Sequence, residues 1–230
     1  MEDLKADQSS ERQQEPNYPL ETLLEISKAV NSTLNLDEIF QQITRQAVNV
    51  LMASRAVLFL RPAPDDDFVI LMSEYDVRDL YESKNRGRYD LSKHTLNRKV
   101  METLKPIQFH VDDLSADLEK SVRESLQELG VKSILMAPLI LGDKAIGLFA
   151  VDQVGEIRVF TQGEIQLAQI LANQAAIALK NAELFESVQK EKRRVEAIIH
   201  SSLDGIVVTD MQDVIIHVNP AFSNAFGVKN

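Results

Sequence analysis

Apolar and polar positions divide the chain into segments of different period. Residues 1 to 17 are polar except for Met1, Leu4 and Ala6, and predict a disordered leader. From Leu20 the spacing turns helical through Leu23, Leu24 and Val30. Asn35 and Glu38 then form a capping pattern before a second helix with Ile39, Ile43, Ala47, Val50 and Leu51 on one face. The short apolar runs 56–60 and 68–72 flank a proline- and aspartate-rich turn, which predicts paired antiparallel strands. A short helix is expected from a Ser92 cap to about Thr103, with Leu96 and Val100 inward and His94 outward, ended by Pro106. Ile107, Phe109 and Val111 alternate with Gln108 and His110, which is strand spacing, and a helix over about 118–129 stops at Gly130. Residues 133–141 and 144–151 read as a hairpin across Gly142-Asp143, with Pro138 marking an edge or a bulge.

The longest element begins at Thr161, which forms a capping box with Glu164. Neither glycine nor proline occurs from Glu164 to Asp204, so a helix of roughly 40 residues, about 60 Å long, is expected. At 3.5-residue spacing its positions are Leu167, Ile170, Gln174, Ile177, Asn181, Leu184, Val188, Glu191, Val195 and Ile198, of which seven are apolar. Such a seam suits a parallel two-helix coiled coil, in which a buried Asn181 would fix register at some cost in stability. A second stripe, Ala168, Leu171, Ala172, Ala175, Ala178 and Ala182, allows close packing on the domain's own core. The alternative is a helix packed only on that core; its length argues against it.

Composition narrows the function classes. With 44% hydrophobic and 26% charged residues in 230, a packed core is expected. The net charge of -10 opposes binding to nucleic acid or to an anionic membrane surface. No apolar run approaches the roughly 18 to 20 residues of a membrane span, and the start Met1-Glu2-Asp3-Leu4-Lys5 lacks the basic-then-apolar pattern of a signal peptide. A cytoplasmic location is expected. The chain contains no cysteine, which removes thiolate chemistry and disulfides together.

The stretch Phe160-Thr-Gln-Gly-Glu-Ile-Gln-Leu-Ala-Gln-Ile-Leu-Ala-Asn-Gln-Ala-Ala-Ile-Ala-Leu-Lys-Asn-Ala182 resembles the closing helix of GAF domains, and the hairpin 137–152 resembles the strand pair before it. The resemblance extends over about residues 20 to 186. Residues 195–210 and 214–227, ending in Val218-Asn-Pro-Ala-Phe222 and Gly227, are similar to the opening of a PAS domain. The resulting division is a leader (1–17), a GAF-like domain (18–162), a signalling helix (163–200) and the start of a PAS domain (201–230). Only about 36 residues of the last module are present, so these are expected to be frayed or held by a partner chain. The resemblance implies an α+β fold: about six antiparallel strands flanked by helices, with a small-molecule pocket on the face opposite the terminal helices. It also implies regulatory work, commonly ahead of a kinase or cyclase output domain, and none is found in this chain.

Family chemistries can be tested residue by residue. Covalent bilin attachment and the methionine-sulfoxide-reductase branch both use cysteine, which is absent. The cyclic-nucleotide branch pairs an upstream Asn-Lys with a Phe followed four residues later by Asp-Glu, whereas Phe160 is followed by Glu164-Ile165. Haem is disfavoured because His94 and His110 read as pointing away from the core. His200 lacks the flanking sequence of a kinase phosphoacceptor, and His217 has no metal-spaced partner. Asp65-Asp66-Asp67 read as a solvated turn, and no metal site, nucleophile elbow, phosphate loop or catalytic carboxylate pair is found. Leu96, Val100, Phe109 and Leu135 are the apolar pocket candidates. The function expected is a non-catalytic sensor, homodimeric through its long helix; a ligand-free dimerisation spacer is the alternative.

Overall fold

The computed structural model describes residues 36–78 and 87–227. The leader, the helix from Leu20 and the Asn35 cap lie outside the described residues. The described elements run α1 (Leu36–Leu51), β1 (Arg55–Leu60), β2 (Phe68–Asp76), β3 (Arg88–Asp90), α2 (Thr95–Thr103), β4 (Ile107–His110), α3 (Lys120–Glu128), β5 (Val131–Leu141), β6 (Lys144–Val154), α4 (Gln162–Ser201), β7 (Val207–Thr209), β8 (Ile215–Val218) and α5 (Pro220–Phe226). Two compact units meet at Leu179 and Lys180, within α4.

In the first unit six strands form one antiparallel sheet in the order β3-β2-β1-β6-β5-β4. The α+β class and the strand number are those expected. The sheet separates two cores because side chains alternate across it. On one face α1 and the first half of α4 cover Leu58, Leu60, Leu135, Ala137, Leu139, Phe149 and Val151. Burial of Ala168, Ala172, Ala175, Ala176 and Ala178 gives α4 the short side chains needed to approach this face. On the other face α2 and the flanks of α3 cover Val57, Phe59, Val69, Leu71, Ile134, Met136, Leu148 and Ala150.

Local chemistry sets the ends of these elements. Gly142 takes φ 66° in the β5–β6 turn, a left-handed backbone that a primed hairpin needs at its first position. Pro138 lies beyond the last pairing of β4 with β5, and its carbonyl accepts from Gln169 Nε2 at 2.9 Å. A proline there costs no ladder bond toward β4. The capping box is formed: Thr161 N–H donates to Glu164 Oε2 at 2.7 Å and Glu164 N–H donates to Thr161 Oγ1 at 3.3 Å. Arg158 pairs with the same Glu164 and lies over the Phe160 ring. Gln108 clamps the approach to α4, accepting from Phe160 N–H at 2.8 Å and donating to its carbonyl at 3.0 Å.

β2 carries a bulge opposite Leu58 and Phe59, so its alternation changes phase. Val69 and Leu71 face the second core, yet beyond the bulge Ser73 turns to α1, meeting Thr44 Oγ1 at 3.0 Å. Glu74 and Asp76 are thereby brought to the face of Val57 and Ala150.

The second unit holds the remainder of α4, the β7–β8 hairpin and α5. Strand, turn, strand and a helix with Pro220 in its first turn follow the predicted order. The expectation of fraying differs from the structure, in which Asn219 organises these residues. Its Nδ2 donates to the carbonyls of Ile199 (3.1 Å) and Asp204 (2.8 Å), while its Oδ1 accepts from Ile206 N–H (2.8 Å) and Phe222 N–H (3.0 Å). All four hydrogen-bonding positions of one fully buried amide are used.

Candidate functional site

The second face encloses a cavity of about 450 Å³ between the sheet, α2 and α3. Val57 and Phe59 of β1, Ile134 and Met136 of β5 and Ala150 of β6 line the sheet side. Leu96 and Asn97 of α2, Val122, Ser125 and Leu126 of α3, and Leu118 and Leu129 beside α3 complete much of the enclosure. Aromatic rings make part of the wall: Phe59 and Tyr89 meet edge to face with centroids 5.0 Å apart, and Tyr89 meets His94 at 5.5 Å. Phe109 also contributes.

A polar cluster lies at the end where β1 begins. Arg55 Nη1 is 2.7 Å from Asp152 Oδ2 and its Nε is 2.6 Å from Glu74 Oε1; Arg55 and Asp152 line the cavity. Next to them Asp76 is held by Arg78, which donates to both carboxylate oxygens at 2.9 and 2.6 Å and to the Leu129 carbonyl at 2.9 Å. Burial alone would lower the Arg55 guanidinium, but Asp152 and Glu74 overcome it and raise it. Burial raises the Asp152 carboxyl, outweighing the pull of Arg55. For Asp76 burial is opposed by the Arg78 hydrogen bonds, which hold the carboxyl below the usual range.

Of the four pocket candidates, Leu96 and Phe109 line the cavity, and Val100 is buried in the same core without lining it. Leu135 lies in the opposite core, because on β5 Ile134 and Met136 take the cavity-facing parity. His94 also differs from the expectation. The helix starts at Thr95, not after Ser92, so His94 is its N-cap residue, with φ -103° and ψ 68°. Helical angles do not apply there, and the imidazole turns to Tyr89 and the cavity; burial lowers its pKa. His110 does face away from Phe109, with Nδ1 3.0 Å from Ser133 Oγ.

The sequence reading missed Arg55, Glu74 and Asp152. Asp152 continues the parity of Leu148 and Ala150, a signal that was available, but its pairing with a residue 97 positions earlier was not. Asp65-Asp66-Asp67 form a turn, in which Asp66 Oδ2 accepts from Ala63 N–H at 2.8 Å. His200 and His217 meet edge to face with ring centroids 6.2 Å apart. Among the described residues no group of three or more His, Asp or Glu could hold a metal ion, and no helix is long and apolar enough to cross a membrane.

Along α4, Leu167 belongs to its own domain's core, and Gln174 is half-buried. Ile170, Ile177, Leu184, Val188, Val195 and Ile198 are 40–64% exposed. Asn181 and Glu191 are exposed as well.

A sequence model of the GAF domain matches residues 35–179. This chain belongs to the GAF domain family. A model of the PAS domain matches residues 193–230, so the GAF domain is followed by the N-terminal part of a PAS domain. The fold is also that of solved GAF structures. A GAF domain from a phosphoenolpyruvate-protein phosphotransferase of Coxiella burnetii is similar with TM-score 0.61 and 23% identity, over 73% of this chain and 96% of that one. A methyl-accepting chemotaxis protein fragment gives TM-score 0.57 at 19% identity, over 70% and 98%. The phycocyanobilin-bound GAF domain of a cyanobacterial phytochrome gives TM-score 0.58 at 18% identity, over 71% and 94%. No curated protein matches this chain.

Proposed function

We propose that this GAF domain is a non-catalytic sensory module of cytoplasmic signal transduction. A small molecule enters the cavity, and the altered packing biases a parallel homodimer formed through α4, which hands the change to the PAS domain and an output domain such as a kinase or cyclase. One observation carries the reading: the sheet that walls the cavity packs by its other face on the first half of α4, whose exposed side carries the apolar seam. Leu148 and Ala150 face the cavity-side core, while Phe149 and Val151 of the same strand touch the α1–α4 layer, so a shift of β6 is felt by both.

Ile177, Leu184, Val188, Val195 and Ile198 follow coiled-coil spacing, and a second copy of the same helix supplies their match. Two packed helices that rotate, slide or splay furnish the bistable element that a switch needs. Similar solved structures include a chemotaxis protein fragment and photoreceptors, in keeping with a sensory role.

Sedimentation equilibrium of the whole chain and of its Leu184→Glu variant, joined to native mass spectrometry of freshly purified protein, tests the reading. A dimer broken by the variant, carrying or accepting a small molecule, supports it. A monomer removes the relay, and a dimer that stays empty against a broad ligand panel is a spacer.

A further inference from the structure

We propose that the cavity's ligand is a small organic cation, one or two rings bearing a protonated nitrogen. This inference rests on the sensory reading and adds the charge and class of the ligand.

Charge comes first. Arg55 and Arg78 stand among Glu74, Asp76 and Asp152, so three carboxyl groups share two guanidiniums at the cavity's end, and the carboxyl that burial raises, Asp152, is the one that lines the cavity. Arg55 is already held by two carboxylates. An anionic ligand would have to displace one of them from a cluster whose side chains are largely removed from water, whereas a cation completes the balance. Asp152 lines the cavity with its side chain 3% exposed, close enough to the interior for its charge to be weakly screened. The other titratable groups lining the space, Tyr89 and His94, are uncharged at neutral pH: burial raises the first and lowers the second.

The wall chemistry agrees. Phe59, Tyr89 and Phe109 contribute aromatic rings to the wall and Met136 a polarisable sulfur, which together suit a flat skeleton and a cation near aromatic quadrupoles. At about 450 Å³ the space is in the lower part of the range for ligand pockets, about 300 to 1,000 Å³. It admits one or two rings with a short arm.

The test holds the ring constant and changes the charge. Calorimetric titration of the whole chain with 2-phenylethylamine and tryptamine is compared with the corresponding alcohols and carboxylates. The amines are expected to bind at least tenfold more tightly than either counterpart. Ala150→Phe, which fills the space, should abolish binding, and Asp152→Asn should bring amine and alcohol to similar affinity. If Asp152→Asn fails to fold, the three-way comparison on the unaltered chain still decides. Equal or tighter binding of the alcohol or the carboxylate overturns the cation assignment and leaves the sensory reading standing. Absence of binding by every compound at millimolar concentration also overturns the cation assignment, whereas the sensory reading falls only if the protein stays empty against the broad ligand panel.

Discussion

Arg55 and Asp152 are cross-strand partners on β1 and β6, with Nη1 2.7 Å from Oδ2, and both line the cavity. This ties two inner strands of the sheet to the chemistry of the site. The pair is almost wholly removed from water, so removing one member exposes the cost of burying the other.

Arg55→Leu leaves Glu74 and Asp152 buried without their cation. A loss of about 3–5 kcal/mol is expected at pH 7, of the size found when one partner of a buried pair is removed. Urea denaturation checks it. Replacing Arg55, Glu74 and Asp152 together by apolar residues should recover most of the loss, because no charge is then stranded.

Asp76 supplies a pH dependence. Its folded pKa lies below the unfolded value near 4, so the stability it contributes is present above that value and is lost as pH falls through the folded pKa. Asp152, raised by burial, acts in the opposite sense: stability is gained as pH falls through its folded pKa toward the unfolded one. Asp76→Asn should therefore cost about 1.5–3 kcal/mol at pH 7, with the difference from the unaltered chain shrinking below about pH 4. Denaturation curves at pH 7, 4 and 3 measure it.

Gly147 marks a close approach of β6 to β1. A Cβ built there collides with the Phe59 carbonyl oxygen and lies 3.1 Å from Leu60 Cα, both backbone atoms that cannot step aside alone. Gly147→Ala should destabilise the domain by about 1–3 kcal/mol, read from the denaturation midpoint at unchanged slope.

Asn219 offers a local counterpart. Asn219→Ala removes partners from the carbonyls of Ile199 and Asp204 and from the amides of Ile206 and Phe222. Hydrogen exchange should rise by about tenfold or more at Ile206 and Phe222, in line with about 1–3 kcal/mol for a buried group left unsatisfied. Exchange in β1 and β6 should not change.

The frame of the first unit was legible because its signals are local. Gly142 and Gly130 mark turns, Thr161 and Glu164 start α4, and the absence of glycine and proline carries that helix to Ser201. The site was legible only in part. Leu96 and Phe109 could be placed from periodicity, but Leu135 required the parity of β5, which the bulge near Val131 and Ser133 alters. Two causes hid the polar cluster: the β2 bulge reverses which residues face the cavity, and the pairing of Arg55 with Asp152 depends on strand order. His94 was misassigned because the helix begins after it, and the angle drawn from helical geometry had no basis there.

If the state of the cavity sets the geometry of a dimer of α4, as proposed, a label on that helix reports it. With no cysteine in the chain, Glu186→Cys admits a single spin label on the exposed helix, and pulsed dipolar spectroscopy gives its distance to the label on the partner copy. One well-defined distance within a dimer is expected, displaced by about 1–2 Å when Ala150→Phe fills the cavity, the scale of helix shifts at switching interfaces. No dipolar signal above background, or the same distance with the cavity open and filled, would contradict it.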